Sequence, residues 1–238
     1  MISRLCFFLL TLLLSFSLNA QKGATAIDKY ERILEANKQA LANKDQLLIV
    51  FSKNDTSSKA VLAAFEKKSG RWQVHFNPVV ASIGKTGFAN MDEKSEGDNK
   101  TPSGLFALGQ LFTYETSVKT ALGFQQATSE DKWIDDPASP DYNTHVRGET
   151  KARSFEHLLL KSIDYKYCMV IEYNTMPVIK GKGSAIFFHL ADAVFTPTAG
   201  CVAIQEKDML RILEWLHPGE KKAILMGTER TLMAGVKK

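Results

Sequence analysis

Hydrophobic and polar positions change rhythm along this chain, and each rhythm points to an element. Ile27, Tyr30, Leu34 and Leu41 recur at about three, four and seven residues among polar neighbours, the apolar stripe of a solvated helix. Leu47 to Phe51 is an unbroken apolar run of strand length. Ser57-Ser58 ahead of Lys59 to Lys68, with Gly70 behind, predicts a capped helix. Short apolar runs then dominate. Arg71 to Phe76, Val79 to Ile83 and Leu105 to Phe112 read as strands, parted by Gly84, Gly87 and the polar stretch MDEKSEGDNKTPSG. Tyr165 to Tyr173 is a further strand, followed by an Asn174-Thr175-Met176-Pro177 turn and by Ser184 to Phe188 running into His189. Glu206 and Asp208 suit a helix N-terminus, Leu210, Leu213 and Leu216 supply its apolar face, and His217-Pro218-Gly219 stops it before a strand from Ala223 to Met226. The expected fold class is mixed α/β and β-rich: a mixed sheet or sandwich with a few packed helices and an N-terminal helix.

The first twenty residues follow a different logic. Arg4 precedes a nearly continuous apolar run from Leu5 to Leu18, and Leu18-Asn19-Ala20 before Gln21 fits a signal-peptidase site. This predicts a secretory signal over 1–20 and export to the periplasm or cell envelope. The run is shorter than a membrane span of about 20 residues, so an uncleaved anchor is the lesser alternative. Cys6 lies inside it, which disfavours a lipoprotein anchor. Residues 21–46 are expected to form a helical extension, 47–228 one main domain, and 229–238 a C-terminal tail. The 30 Lys and Arg against 26 Asp and Glu, net +4, are dispersed without a basic block. Neither nucleic acid nor a strongly anionic surface is implied as a partner.

Candidate chemistry sits where the apolar run ending in His189 meets a turn-rich loop ending in Thr198-Ala199-Gly200-Cys201. A thiol with an unperturbed pKa of about 8.5 needs a base at neutral pH, and a nearby imidazole supplies one. Gly200 permits the tight backbone that would expose Cys201 and aim N–H groups at an oxyanion. From spacing alone, catalysis competes evenly with a core cysteine or a disulfide to Cys168. Cys168, mid-strand in KYCMVIEY, reads as core. His75, His145, His157 and His217 lack catalytic context, and no zinc-type spacing is present, so no metal is expected. Glu96, Asp98, Asp135 and Asp136 fall in turns where carboxylates cap backbone groups, with substrate contact as the alternative. The aromatic segment Trp133 to Tyr142 is expected as a rim or lid over a groove. Gly84-x-x-Gly87 and Thr101-Pro102-Ser103-Gly104 read as turns, lacking the context of a phosphate loop.

The segments IGKTGFANMDEKSEGDNKTPSGLFAL, WIDDPASPDYN and GKGSAIFFHLADAVFTPTAGCVAI, with the closing helix and strand, resemble the L,D-transpeptidase catalytic domain of the YkuD type from about Leu47 to Thr228. The resemblance implies acyl transfer on peptidoglycan stem peptides without a cofactor. Cys201 matches the family nucleophile, His189 its proton partner, and Gly200 with the Cys201 amide the oxyanion loop. Thr198 stands where the Ser of Ser-His-Gly-Cys stands and is expected to brace the loop. Ala199 and Ala203 replace a histidine and an arginine common in the family, so a substrate carboxylate needs another partner, for which Arg153 is the candidate. The resolving acceptor is an amine, a lipoprotein lysine or water. The alternatives are therefore a hydrolytic carboxypeptidase or endopeptidase and, in another class, an inactive wall-binding domain.

Overall fold

Alternation of side chains along each strand sorts the hydrophobic residues into three separate cores, and the candidate site lies over one of them. The computed structural model describes residues 28–236. The predicted signal segment 1–20 and Ile27 lie outside the described residues. In chain order the elements are α1 (28–36), β1 (Gln46–Ser52), β2 (Lys59–Lys68), β3 (Arg71–Ser82), β4 (Gly104–Thr113), β5 (Phe124–Gln126), β6 (Asp131–Ile134), β7 (His145–Arg147), β8 (Phe155–His157), β9 (Tyr167–Ile171), β10 (Phe187–Leu190), β11 (Val202–Ile204), α2 (Glu206–Trp215), β12 (Lys222–Thr228) and α3 (Glu229–Ala234).

The main sheet runs β12-β1-β2-β3-β11-β10-β9-β4-β5, and an added pairing of β12 with β4 closes eight of these strands into a ring. β1 and β12 are parallel, as are β10 and β11, so the sheet is mixed as expected. Leu48, Val50, Leu62, Phe188, Leu190, Val202, Ile204, Ile224 and Met226 point into the ring, where Met209, Ile212, Leu213 and Leu216 of α2 join them. On the outer face of β1, β2 and β12, Leu47, Ile49, Phe65 and Leu225 meet Tyr30, Ile33 and Leu41 from the N-terminal segment and Leu232 from α3. A three-stranded sheet, β7-β6-β8, covers a third core containing Phe187, Cys168, Val170 and Cys201. Buried Asp131 ties that small sheet together: both its oxygens meet the Arg147 fork at 2.9 Å, and it accepts from Thr128 and contacts His145.

Four expectations are corrected. Lys59 to Lys68 is strand, not helix: it pairs antiparallel with β1 on one side and β3 on the other. Its composition fits a helix, yet two neighbouring strands supply backbone partners and burial that outweigh so weak a local preference. The runs 71–76 and 79–83 are one strand, carried across Asn77-Pro78 by a register shift where Leu62 faces Val79 and Ala64 faces Phe76. A bulge accommodates the missing proline donor. In α1 the buried centre is Ile33, with Leu34 only partly covered. In α2 Leu210 is 37% exposed, and Met209 and Ile212 take the place assigned to it.

These placements separate two leucine truncations. Leu62→Ala in β2, fully buried in the ring, should cost about 2–5 kcal/mol. Leu210→Ala should cost less than about 1 kcal/mol. Urea denaturation of both variants distinguishes strand burial at Lys59–Lys68 from a solvated helix, in which Leu62 would tolerate truncation.

Candidate active site

Two short parallel strands bring the predicted pair together. Phe188 faces Val202 and His189 faces Ala203 across β10 and β11. By that register Cys201 falls beside Phe187, so His189 and Cys201 share the outward face, one strand across and one pleat repeat along, roughly 8 Å apart at the backbone. Both sulfur contacts come from in and just before β10: the Phe187 amide donates to Cys201 Sγ at 3.3 Å, and Sγ donates to the Ala185 carbonyl at 3.3 Å. Ala185 itself has a φ of 52°.

The loop before Cys201 is stitched to two others. Thr198 N donates to the Ile83 carbonyl at 3.0 Å and the Thr198 carbonyl accepts from Lys85 N at 2.8 Å. Thr198 Oγ1 accepts from Gly200 N at 3.2 Å and donates to the Cys201 carbonyl at 2.7 Å. Thr101 Oγ1 binds Gly84 N at 2.8 Å and reaches the same carbonyl at 3.4 Å. Gly200 has a φ of 153°, and a Cβ there would lie 2.9 Å from the Lys100 carbonyl oxygen. Glycine is the residue that fits both the dihedral and the space.

Cys201 is 6% exposed and His189 8%. Burial pushes the Cys201 thiol up, and the charge of Glu156 adds to this; the Phe187 amide, Lys94 and the Tyr165 hydroxyl pull the other way. Burial lowers the His189 imidazole to about 4, against the opposing influence of the Leu190 carbonyl and Asp164. His189 Nδ1 lies 2.9 Å from the Leu190 carbonyl, which fixes the proton on Nδ1 and leaves Nε2 as acceptor. A neutral thiol and a neutral imidazole are therefore the resting forms.

Cys201 lines two cavities. One, about 290 Å³, also holds His189, Tyr165, Thr198, Ala199 and Ala203. The other, about 170 Å³, is walled by Lys94, Glu96, Asp135, Glu156, Ser184 and Gly200. Glu96 accepts from Tyr142 Oη and from Ser184 Oγ, and Lys94 pairs with Asp98 at 2.7 Å. Asp135 Oδ1 is buried and has no hydrogen-bond partner among the described residues.

Residues 48–225 match the family model for the L,D-transpeptidase catalytic domain, YkuD. The chain belongs to the YkuD family. Among solved structures, the helical cell shape determining protein Pgp2 from Campylobacter jejuni is similar at 16% identity and a TM-score of 0.38, over 83% of this chain and 54% of that one. This chain thus spans about half the length of the Pgp2 chain. No curated protein matches it. No helix among the described residues is long and apolar enough to cross a membrane.

Within this YkuD domain Ala199 and Ala203 both line the His189 cavity. Arg153 is elsewhere. Its Nε and Nη2 each lie 3.1 Å from the Asp136 carboxylate, and it lines a separate trough with Ser139, Asp141 and Lys151 that does not include Cys201. Asp98 and Asp136 serve loops, Asp98 accepting from Ser95 and Lys100 amides and Asp136 from those of Ala138 and Arg153. The Trp133 to Tyr142 segment is not an aromatic rim: Trp133 packs edge-on against Phe187, and Tyr142 is 1% exposed. Cys168 is fully buried and, like Cys201, a free thiol.

Sequence reasoning missed Glu156. It lies in β8 opposite Trp133, and alternation turns it inward while its neighbours Phe155 and His157 meet edge to face. A glutamate out of phase with two aromatics was the available signal, but three residues carry little periodicity. Burial raises the Glu156 carboxyl to about 7, helped by the charges of Asp135 and Glu96 and opposed by a hydrogen bond from Tyr165.

Two predictions follow the geometry of the pair. Because His189 titrates near 4 when folded and near 6.5 when not, the unfolded chain binds the extra proton between those values. Its contribution to stability is lost as pH falls from 6.5 toward 4, by about 2 kcal/mol at pH 4.5. Urea melts at both pH 7 and pH 4.5 should show wild type losing that much more than His189→Gln. Thr198→Val, which removes both hydroxyl bonds in the loop, should destabilise by about 1–3 kcal/mol, while Thr198→Ser stays close to wild type in the same assay.

Proposed function

We propose that this protein is an exported L,D-transpeptidase that acts on peptidoglycan stem peptides through a thioester on Cys201. The supporting observation is a single sulfur at the junction of two cavities, the arrangement a two-substrate acyl transfer requires. The thiolate attacks the carbonyl at the L-centre of diaminopimelate, the peptide C–N bond breaks, and D-Ala leaves with a proton. His189, neutral and with Nε2 as acceptor, serves as general base and then acid. Thr198 holds the loop, and because Thr198 Oγ1 already engages the Gly200 amide, the Cys201 amide is the principal oxyanion donor.

An acceptor amine then attacks the thioester and restores the thiol. The smaller cavity carries Glu96, Asp135 and Glu156, a wall of carboxylates that attracts an ammonium group more than it favours water. This supports cross-linking to a second stem peptide or to a lipoprotein lysine over hydrolysis. Arg153, 78% exposed at its side chain, is proposed to meet a distal substrate carboxylate in its own trough, in competition with Asp136.

Defined tetrapeptide muropeptides test the reaction. Mass spectrometry should find a Cys201 acyl adduct and a dimeric product, both lost in Cys201→Ala. D-Ala release with water added, and no dimer, would establish the hydrolytic reaction instead. An unmodified Cys201 on folded protein would support an inert wall-binding domain. Arg153→Ala should raise KM several-fold with little change in kcat; unchanged KM removes Arg153 from the site.

A further inference from the structure

Lys94 stands between two cavities. It lines the 170 Å³ space that ends at Cys201, and it also lines a pocket of about 380 Å³ whose half-buried residues include Phe106 and Tyr173 and whose exposed ones include Asn90, Asp92, Ile179 and Lys182. The lysine is 4% exposed, and its ammonium donates to the Asp98 carboxylate at 2.7 Å and the Ser95 carbonyl at 2.9 Å. A Cβ on Gly183 would lie 3.2 Å from Lys94 Cγ, Cε and Nζ, so glycine leaves the lysine stem its slot. The outer pocket is thus one fixed side chain away from the space that holds the sulfur.

The pocket is shaped before any ligand arrives. Phe106 and Tyr173 meet at right angles with centroids 5.5 Å apart. Gly104 has a φ of 148°, and a Cβ there would lie 2.7 Å from Phe106 Cζ, so the ring lies back over bare backbone. Tyr173 Oη donates to the Lys182 carbonyl at 2.6 Å. Asn174 pins the opposite wall: its Oδ1 accepts from Ile179 N at 2.8 Å, and its Nδ2 donates to the Ile179 and Gly183 carbonyls. Ile179 is 54% exposed in that wall, an apolar side chain held out in water by its own backbone bonds.

We propose that this pocket binds an N-acetylated sugar of the wall glycan, so that the acceptor strand is held by its saccharide as well as by its stem. The proposal rests on the acyl transfer assigned to Cys201 and deepens it. Aromatic faces with a polar rim suit a sugar, which lays its C–H face on a ring while its hydroxyls and acetamide reach outward. Asn90 donates to Glu93 at 2.7 Å, which leaves its carbonyl oxygen to accept, and Asp92 and Lys182 add one charge of each sign. A rim so balanced selects neither an anion nor a cation. Reach agrees as well: two residues, about 7 Å of extended chain, join diaminopimelate to the sugar. An acceptor whose ammonium enters the carboxylate-walled cavity would therefore bring its glycan to the far side of Lys94.

Saturation-transfer NMR with a peptide-free N-acetylglucosamine tetramer tests the pocket without any reaction. Wild type should pass saturation to the sugar C–H and acetyl protons, and Phe106→Leu and Ile179→Ser should each weaken binding about 5-fold. Because Ile179 is exposed, Ile179→Ser reads the pocket even if Phe106→Leu fails to fold, which circular dichroism reports. No transfer in wild type, or wild-type transfer in Ile179→Ser, overturns the sugar site. In turnover, an acceptor disaccharide tetrapeptide should show a KM about 5-fold below that of the sugar-free tetrapeptide, and Ile179→Ser should erase the difference. Equal KM values in wild type overturn the subsite. Tetramer binding that is sensitive to Ile179→Ser, on a protein that never acylates Cys201, overturns the acyl transfer and leaves the sugar site standing.

Discussion

Covering a thiol from water is the constraint around which this site is built. Cys201 is almost fully covered by Phe187, Tyr165 and the small sheet, and burial alone makes its thiolate costly. The Phe187 amide, the Tyr165 hydroxyl and Lys94 each act against that cost from a different element. A sulfur left in open solvent would ionise more easily, but a charge in a dry site is poorly solvated and correspondingly reactive once made.

The closed ring supplies the rigidity this requires. β10 and β11 are inner members of the ring, and every second residue of each, from Phe188 to Ile204, is locked in its interior. The intervening residues, Phe187, His189, Cys201 and Ala203, have no freedom to rotate out of register without emptying that core. The cover comes from a separate device, the three-stranded sheet fixed through Asp131, which brings Trp133 and Glu156 down onto Phe187 and Tyr165. The barrel holds Cys201, and the small sheet brings in the Glu156 carboxylate.

Much of this was legible in the chain, in proportion to how local the signal was. β1, β4, β9, β12 and α2 announced themselves by unbroken or periodic apolar runs. The pairing of His189 with Cys201 was visible because the loop between them is short. β2 was misread because its helical composition is a weak local signal, whereas its strand pairing depends on two distant partners. β3 looked like two strands because Pro78 hides a bulge. Glu156 and Tyr165 were not legible as a pair, since nothing in the loop between them reports that β8 folds back over β9.

The pairing that closes the ring also orders events during synthesis. Asp45 and Lys221, hydrogen-bonded across the β1 and β12 ends, lie 176 positions apart. β12 fills the slot between β1 and β4, two strands made far earlier. Until it emerges, both strands present bare edges, and an incomplete chain carries two adhesive borders in place of a seamless wall. Closure so non-local is intrinsically slow. This protein is therefore most dependent on chaperoning, or on being kept unfolded, over the interval before its last strand arrives.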